Sequence, residues 1–163
     1  MSVDVGSKAP DFTLNNQDRE PVTLSQLRGR PVVLAFFPAA FSSVCQKELC
    51  TFRDSVNTLN RANAQVLGVS VDFNDANKAW AEKLGLTYPL LSDTRRQMAK
   101  AYDVLYDDPK MAEDPQRIPT YLRTKRAWFV IDKQGVIRYA KTTEPREWQP
   151  PNDEILKVLS ELK

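Results

Sequence analysis

The run Pro31-Val-Val-Leu-Ala-Phe-Phe37, closed off by Pro38, constrains this chain more than any other stretch. It is continuously apolar, rich in β-branched and aromatic side chains, and shows no alternation with polar residues. A strand of that kind is buried on both faces, which calls for a parallel or mixed sheet with other elements above and below it. Proline has no N–H for the ladder, so the strand ends at Pro38.

The flanking sequence supplies the cover. Residues 6–14 read as a turn running into a short strand, with residues 21–24 as its hairpin partner and residues 24–27 as a helical turn. Beyond Pro38 a helix is expected over roughly residues 44–63, where Leu49, Phe52, Val56 and Leu59 recur at steps that make one apolar stripe. Residues 65–70 form a second core strand, and residues 74–84 a helix that Gly85 can cap. Residues 88–92 are extended and residues 95–102 helical. Residues 103–125, polar and carrying Pro109, Pro115 and Pro119, read as a long surface excursion. Residues 127–131 and 136–139 form a hairpin around Asp132-Lys-Gln-Gly135, and Asn152 is the expected cap of a last helix. This order is α/β and suits a thioredoxin-like fold: a central mixed β-sheet flanked by helices on both faces, with an N-terminal β-hairpin. A length of 163 residues, without an internal repeat or linker, is read as one domain over residues 1–163.

Composition narrows the chemistry. The chain has no histidine, which removes Ser-His-Asp and Cys-His catalysis and every imidazole zinc site. Two cysteines cannot make an all-thiolate zinc site. With only five glycines and no Gly-x-x-x-x-Gly-Lys or Gly-x-Gly-x-x-Gly, a nucleotide loop is disfavoured. A net charge of +2 with scattered basic residues does not point to nucleic acid. The first thirty residues carry no continuous apolar stretch, so neither a signal peptide nor a membrane span is expected, and the expected location is cytoplasmic.

Where the buried strand hands over to the long helix stands Pro38-Ala-Ala-Phe-Ser42-Ser43-Val44-Cys45-Gln46-Lys-Glu48-Leu-Cys50. Ser43 with Gln46 makes a capping box; with Ser42 as the cap instead, Cys45 still falls in the first turn. A first-turn sulfur faces unsatisfied N–H groups and the positive end of the helix dipole, which favour a thiolate, the nucleophilic form. Ser42 can hydrogen-bond the sulfur or an incoming oxygen, and Pro38 can shield the pocket. Cys45 also lies on the apolar stripe, four residues before Leu49, so a small core side chain is the competing reading.

Pro38-x-x-x-Ser42-x-x-Cys45, behind Phe36-Phe37, resembles the peroxiredoxin active-site motif. The similarity continues in order through residues 9–14, Val69-Ser-Val-Asp72 with Trp80, Tyr88-Pro-Leu-Leu-Ser-Asp93 and Arg126-Ala-Trp-Phe-Val-Ile-Asp132. It weakens over residues 103–125 and after Glu144. The resemblance implies a thiol peroxidase that needs no metal, haem or flavin. Cys45 would attack the hydroperoxide, Pro38 and Ser42 would line its pocket, and Arg126 would stand at the sulfur. Glu48 matches an acidic position that would orient the arginine. Without the resemblance, Arg126 reads as a surface charge at a strand start and Glu48 as a solvated helix residue.

Cys50 is five residues after Cys45. On an intact helix that spacing sets the side chains about 140° apart and the Cα atoms about 8.7 Å apart, beyond the usual disulfide limit of about 6.8 Å. Cys-x4-Cys resembles the bacterioferritin-comigratory (Q-type) peroxiredoxins, in which the second cysteine resolves the first and thioredoxin reduces the disulfide. The surrounding residues look like the alkyl hydroperoxide reductase E-type, one-cysteine enzymes recycled by external thiols. On the helical wheel Cys50 falls beside Arg53, Asp54 and Asn57, away from the apolar stripe, which favours a reactive role. Expected partners are thus a hydroperoxide and thioredoxin or another thiol reductant, with monomer and homodimer both open. A thiol–disulfide oxidoreductase would want Cys-x-x-Cys, and a non-catalytic thioredoxin-like binding protein would make Cys45, Ser42 and Arg126 coincidental.

Overall fold

In the computed structural model of the protein, residues 3–143 and 149–162 are described, with only the backbone of Ser43, Val44, Val56, Asn60 and Arg61. The capping-box role of the Ser43 side chain and the place of Val56 on the stripe lie outside the described residues. Among the described residues seven strands form one sheet: β1 (Thr13–Asn15), β2 (Pro21–Thr23), β3 (Val32–Phe36), β4 (Gln65–Ser70), β5 (Leu90–Ser92), β6 (Ala127–Ile131) and β7 (Ile137–Thr142). Among the described residues four α-helices accompany them: α1 (Ser43–Arg61), α2 (Asn74–Leu84), α3 (Gln97–Ala101) and α4 (Asn152–Ser160). The strand order is β2-β1-β5-β4-β3-β6-β7. β3 runs parallel to β4, and β4 to β5, while β6 and β7 are antiparallel additions, so the sheet is mixed. Among the described residues no helix is long and apolar enough to cross a membrane.

β3 is central and every residue of it is buried. Its alternation in space splits the core in two. Val32, Leu34 and Phe36 face a cluster with Met98, Ala99 and Tyr102 of α3 and its C-cap. Val33 and Ala35 face a cluster built from Cys45, Leu49, Phe52 and Leu59 of α1, Trp80 and Leu84 of α2, and Ile155 and Leu159 of α4. Helices thus cover both faces, as a doubly apolar strand demands. Each large apolar side chain buried in this way contributes about 1.5–3 kcal/mol, so β3 is where the two layers are held together.

Two expectations need correction, and a third gains detail. Asn152 is the first residue of α4 and not its cap; Pro151 precedes the helix, and the Asn152 amide instead donates to Ser55 Oγ on α1 at 2.9 Å. The helix expected over residues 95–102 shortens to α3, because Arg96 sits at φ 60, outside helical backbone. Residues 103–125 are a surface excursion, exposed over most of 107–119, but one anchored in the core at single positions. Leu105 bridges Thr124, Val104, Leu105, Met111 and Thr124 are buried, and short 3₁₀ turns at Pro109–Glu113 and Ile118–Thr120 shape the middle. Single apolar residues scattered among polar ones, without a 2.0 or 3.6 period, conceal such anchoring from a sequence pattern.

Candidate active site

α1 begins where β3 delivers the chain. Ser42 is its N-cap: the Ser42 hydroxyl accepts the Cys45 N–H at 3.3 Å, and its carbonyl accepts the Gln46 N–H at 2.8 Å. Of the two serines weighed from sequence, Ser42 occupies the capping position. The helix has no acidic residue in its first turn to offset the dipole. At the far end Asn63, at φ 63, terminates it, and the Ala64 N–H bonds back to the Leu59 carbonyl. Local sequence therefore places Cys45 in the first turn of a capped helix.

Tertiary packing then encloses it. Cys45 is fully buried, in one cluster with Phe37, Leu49, Phe52, Trp80 and Trp128, with Ala40 packed against it. Arg126, the residue immediately before β6, is 3% exposed and presents both Nη1 and Nη2 to Cys45 Sγ at 3.6 Å. The two donors straddle the sulfur. Arg126 Nη1 also donates to Glu48 Oε1 at 2.5 Å, and Glu48 has no exposed surface. Neither the surface-charge reading of Arg126 nor the solvated reading of Glu48 survives. One helical turn separates Cys45 from Glu48, so a single guanidinium reaches both.

The electrostatics of this trio are tense. Burial pushes the Glu48 carboxyl up to about 8, with Arg126 pulling against that rise. Burial disfavours the Arg126 charge, but Glu48 and Cys45 outweigh it and hold the guanidinium above its ordinary range. Glu48 Oε2 and Arg126 Nε have no protein partner and no solvent access. Buried polar atoms of this kind are costly, and each calls for a reason, of which a role in chemistry is one. Among the described residues no group of Cys, Asp and Glu stands close enough to hold a metal ion.

Cys50 is half-buried, and like Cys45 it is a free thiol. It packs against the same apolar cluster rather than standing clear of it. The continuous helix keeps the cysteines apart, as the spacing requires. The helix is also tied down just beyond Glu48: Tyr88 Oη donates to the Leu49 carbonyl at 2.9 Å, and Arg53 Nη1 to the Leu84 carbonyl at 2.5 Å.

Pro38 follows Phe37 on the loop that leads to α1, and its carbonyl accepts from Arg123 Nη1 at 3.1 Å. Arg123 was not foreseen from sequence, nor were Asp72 and Thr124 as partners of this loop. A polar segment rich in arginine offers no periodic signal; only the spacing Arg123-Thr124-Lys-Arg126, directly ahead of a buried strand, could have marked it.

A family model described as the AhpC/TSA family matches residues 5–140. Chloroplastic peroxiredoxin Q of Sedum lineare is 37% identical over 160 residues, spanning 97% of this chain and 78% of that protein. Alkyl hydroperoxide reductase E of Mycobacterium tuberculosis is 36% identical over 148 residues, 89% of either chain. The crystal structure of peroxidoxin BcpB from Mycobacterium tuberculosis superposes with a TM-score of 0.85 at 30% identity, over 99% of both chains. A family match over most of the chain, relatives at this identity and a shared fold lead to one conclusion: the chain belongs to the AhpC/TSA family and is a peroxiredoxin, a thiol peroxidase.

Proposed function

We propose that Cys45 is the nucleophile of this peroxidase and that Cys50 resolves it. The observation that carries the first part is the Cys45 sulfur at a helix N-terminus with both Arg126 Nη atoms at 3.6 Å. A thiolate there attacks the terminal oxygen of a hydroperoxide, hydrogen peroxide or an organic one. The S–O bond forms as the O–O bond breaks, and the leaving oxygen departs as water or an alcohol after taking up a proton. Arg126, Ser42 and first-turn N–H groups are the donors aimed at the charge that develops. The sulfur is left as a sulfenic acid.

In the second step the Cys50 thiol attacks that sulfenic sulfur, water leaves, and a Cys45–Cys50 disulfide forms. This requires the first turns of α1 to unwind. Thioredoxin or a comparable dithiol then supplies the two electrons that restore both thiols. A second reading, direct reduction of Cys45 by an external thiol, is favoured by the intact helix, by Cys50 packed against the core, and by the likeness to a reductase of the E type.

Peroxide consumption with thioredoxin as reductant, by wild type, Cys45→Ser and Cys50→Ser, tests both steps. Cys45→Ser is expected to be inactive, and activity that survives it would overturn the proposal. Cys50→Ser is expected to consume one equivalent of peroxide and stop at a sulfenic acid by intact mass, where wild type loses one hydrogen from each sulfur. Turnover by Cys50→Ser at the wild-type rate would establish the one-cysteine reading instead.

A further inference from the structure

The loop between β3 and α1 is held at successive points by residues from elsewhere in the chain. Thr124 Oγ1, fully buried, donates to the Phe37 carbonyl at 2.5 Å. Arg123 Nη1 donates to the Pro38 carbonyl at 3.1 Å and to Asp72 Oδ1 at 2.8 Å. The other oxygen of the same carboxylate, Asp72 Oδ2, accepts the Ala40 N–H at 2.7 Å. The next residue, Phe41, is in left-handed backbone at φ 64, a conformation that a bulky side chain adopts only when its surroundings dictate it. Ser42 then caps α1.

We propose that Arg123 and Asp72 are positioning residues for peroxide capture: together they hold the loop at Pro38 and Ala40 as a wall of the Cys45 pocket. The proposal rests on reading Cys45 as the nucleophile. The guanidinium and the carboxylate act as one unit, because each spans a backbone group of the loop and the other side chain. Arg123 is itself held from the excursion, its carbonyl accepting the Tyr106 N–H at 2.9 Å and its N–H bonding the Thr120 carbonyl at 3.0 Å. Segment 103–125 thereby acquires a role: it carries the arginine that shapes the pocket. The charge around the sulfur comes from different groups, Arg126 and the mouth of α1. Loosening the loop at Pro38 and Ala40 therefore displaces the bound peroxide, while Arg126 and the Ser42 cap keep the thiolate's own environment.

The test compares wild type with Arg123→Met, Asp72→Asn, the double variant and Arg123→Lys. Two rates are measured: single-turnover oxidation of Cys45 by hydrogen peroxide, and alkylation of Cys45 by iodoacetamide across pH, located by peptide mass. Arg123→Met and Asp72→Asn are each expected to slow oxidation by about 10- to 10²-fold, the scale set by small misplacements around a reacting atom. The alkylation pH profile should superimpose on wild type. The double variant should be no slower than the worse single one, since the pair is one unit. Arg123→Lys should recover part of the loss, as a point charge that reaches the carboxylate without the fork. Oxidation at the wild-type rate in Arg123→Met, or an alkylation profile that shifts along with it, would overturn the positioning role. If Arg123→Met does not fold, Asp72→Asn and Arg123→Lys are judged by the same criteria. Absence of Cys45 oxidation in wild type itself would instead bring down the reading of the nucleophile, and this proposal with it.

Discussion

The two ends of the β3–β6 pair treat a buried carboxylate in opposite ways. At the end where Val32 pairs with Ile131, Asp132 accepts the Gln134 and Val136 N–H groups and Arg138 Nε, all within 2.9 Å. The left-handed position there, at φ 91, belongs to Gly135. At the other end, where Phe36 pairs with Ala127, Glu48 keeps one oxygen without a partner, Arg126 keeps Nε without one, and the left-handed position belongs to Phe41. At one end both carboxylate oxygens are bonded. The other leaves a carboxyl oxygen and a guanidinium nitrogen without partners, with an unfavourable turn beside a sulfur, an arrangement stability alone would not select.

The sharpest way to break this contrast is Arg126→Met. It removes both donors to Cys45, and the expected loss in peroxide rate is about 10²- to 10³-fold, as for a charge-stabilising donor at a reacting atom. It also strands Glu48, whose lone buried charge would cost about 3–5 kcal/mol in urea unfolding. Without Arg126 nothing offsets burial and the carboxyl sits higher still, so the deficit is absent in acid and develops as pH rises through about 8, where the wild-type carboxyl ionises beside its arginine.

Glu48→Gln comes next. The Glu48 carboxyl is raised from 4.5 to about 8, chiefly by burial, so the folded state binds a proton that the unfolded state has released between those values. Its contribution to stability is therefore full below pH 4.5 and lost as pH rises through about 8. The glutamine variant should lose that slope across the window, read from urea midpoints at a series of pH values, with a rate loss of about tenfold from a less well oriented arginine. An unchanged slope would show that Glu48 stays charged in the fold.

At the opposite end, Asp132→Asn should cost about 1–2 kcal/mol in stability and nothing in peroxide rate. Burial pushes the Asp132 carboxyl up, but the Val136 and Gln134 N–H groups and Arg138 outweigh it and hold it below 3.8. Its contribution is therefore present above pH 3.8 and lost as pH falls through the lower folded value, so the variant's deficit should fade in acid. The smallest effects separate the two turns. Gly135→Ala should lose about 1 kcal/mol, because φ 91 is unfavourable for alanine. Phe41→Gly should be close to neutral in thermal midpoint, relief of the left-handed backbone offsetting the ring's lost contact with Trp80 at 6.1 Å.

Much of this was legible in the chain itself. The bounds expected for β4 and α2 coincide with Gln65–Ser70 and Asn74–Leu84, with Gly85 capping at φ 64, because periodicity and end signals are local. The helix carrying Cys45 was legible too, within two residues at each end. Segment 103–125 reads correctly as a surface excursion, but its anchoring was not legible, because Val104, Leu105, Met111 and Thr124 are single buried residues without a period.

The sequence by itself determined a covered strand, a helix starting at a serine cap and a cysteine in its first turn, since each follows from neighbours a few residues apart. Only the tertiary structure decided what surrounds that cysteine. Arg126 reaches Cys45 across 81 positions of sequence, Arg123 reaches Pro38 across 85, and the exposure of Glu48 depends on what packs over its helix. Such contacts form when sheet order brings β6 beside β3, and no periodicity in either segment encodes that pairing. A cysteine at a helix mouth is a local fact; a guanidinium straddling its sulfur is a consequence of the fold.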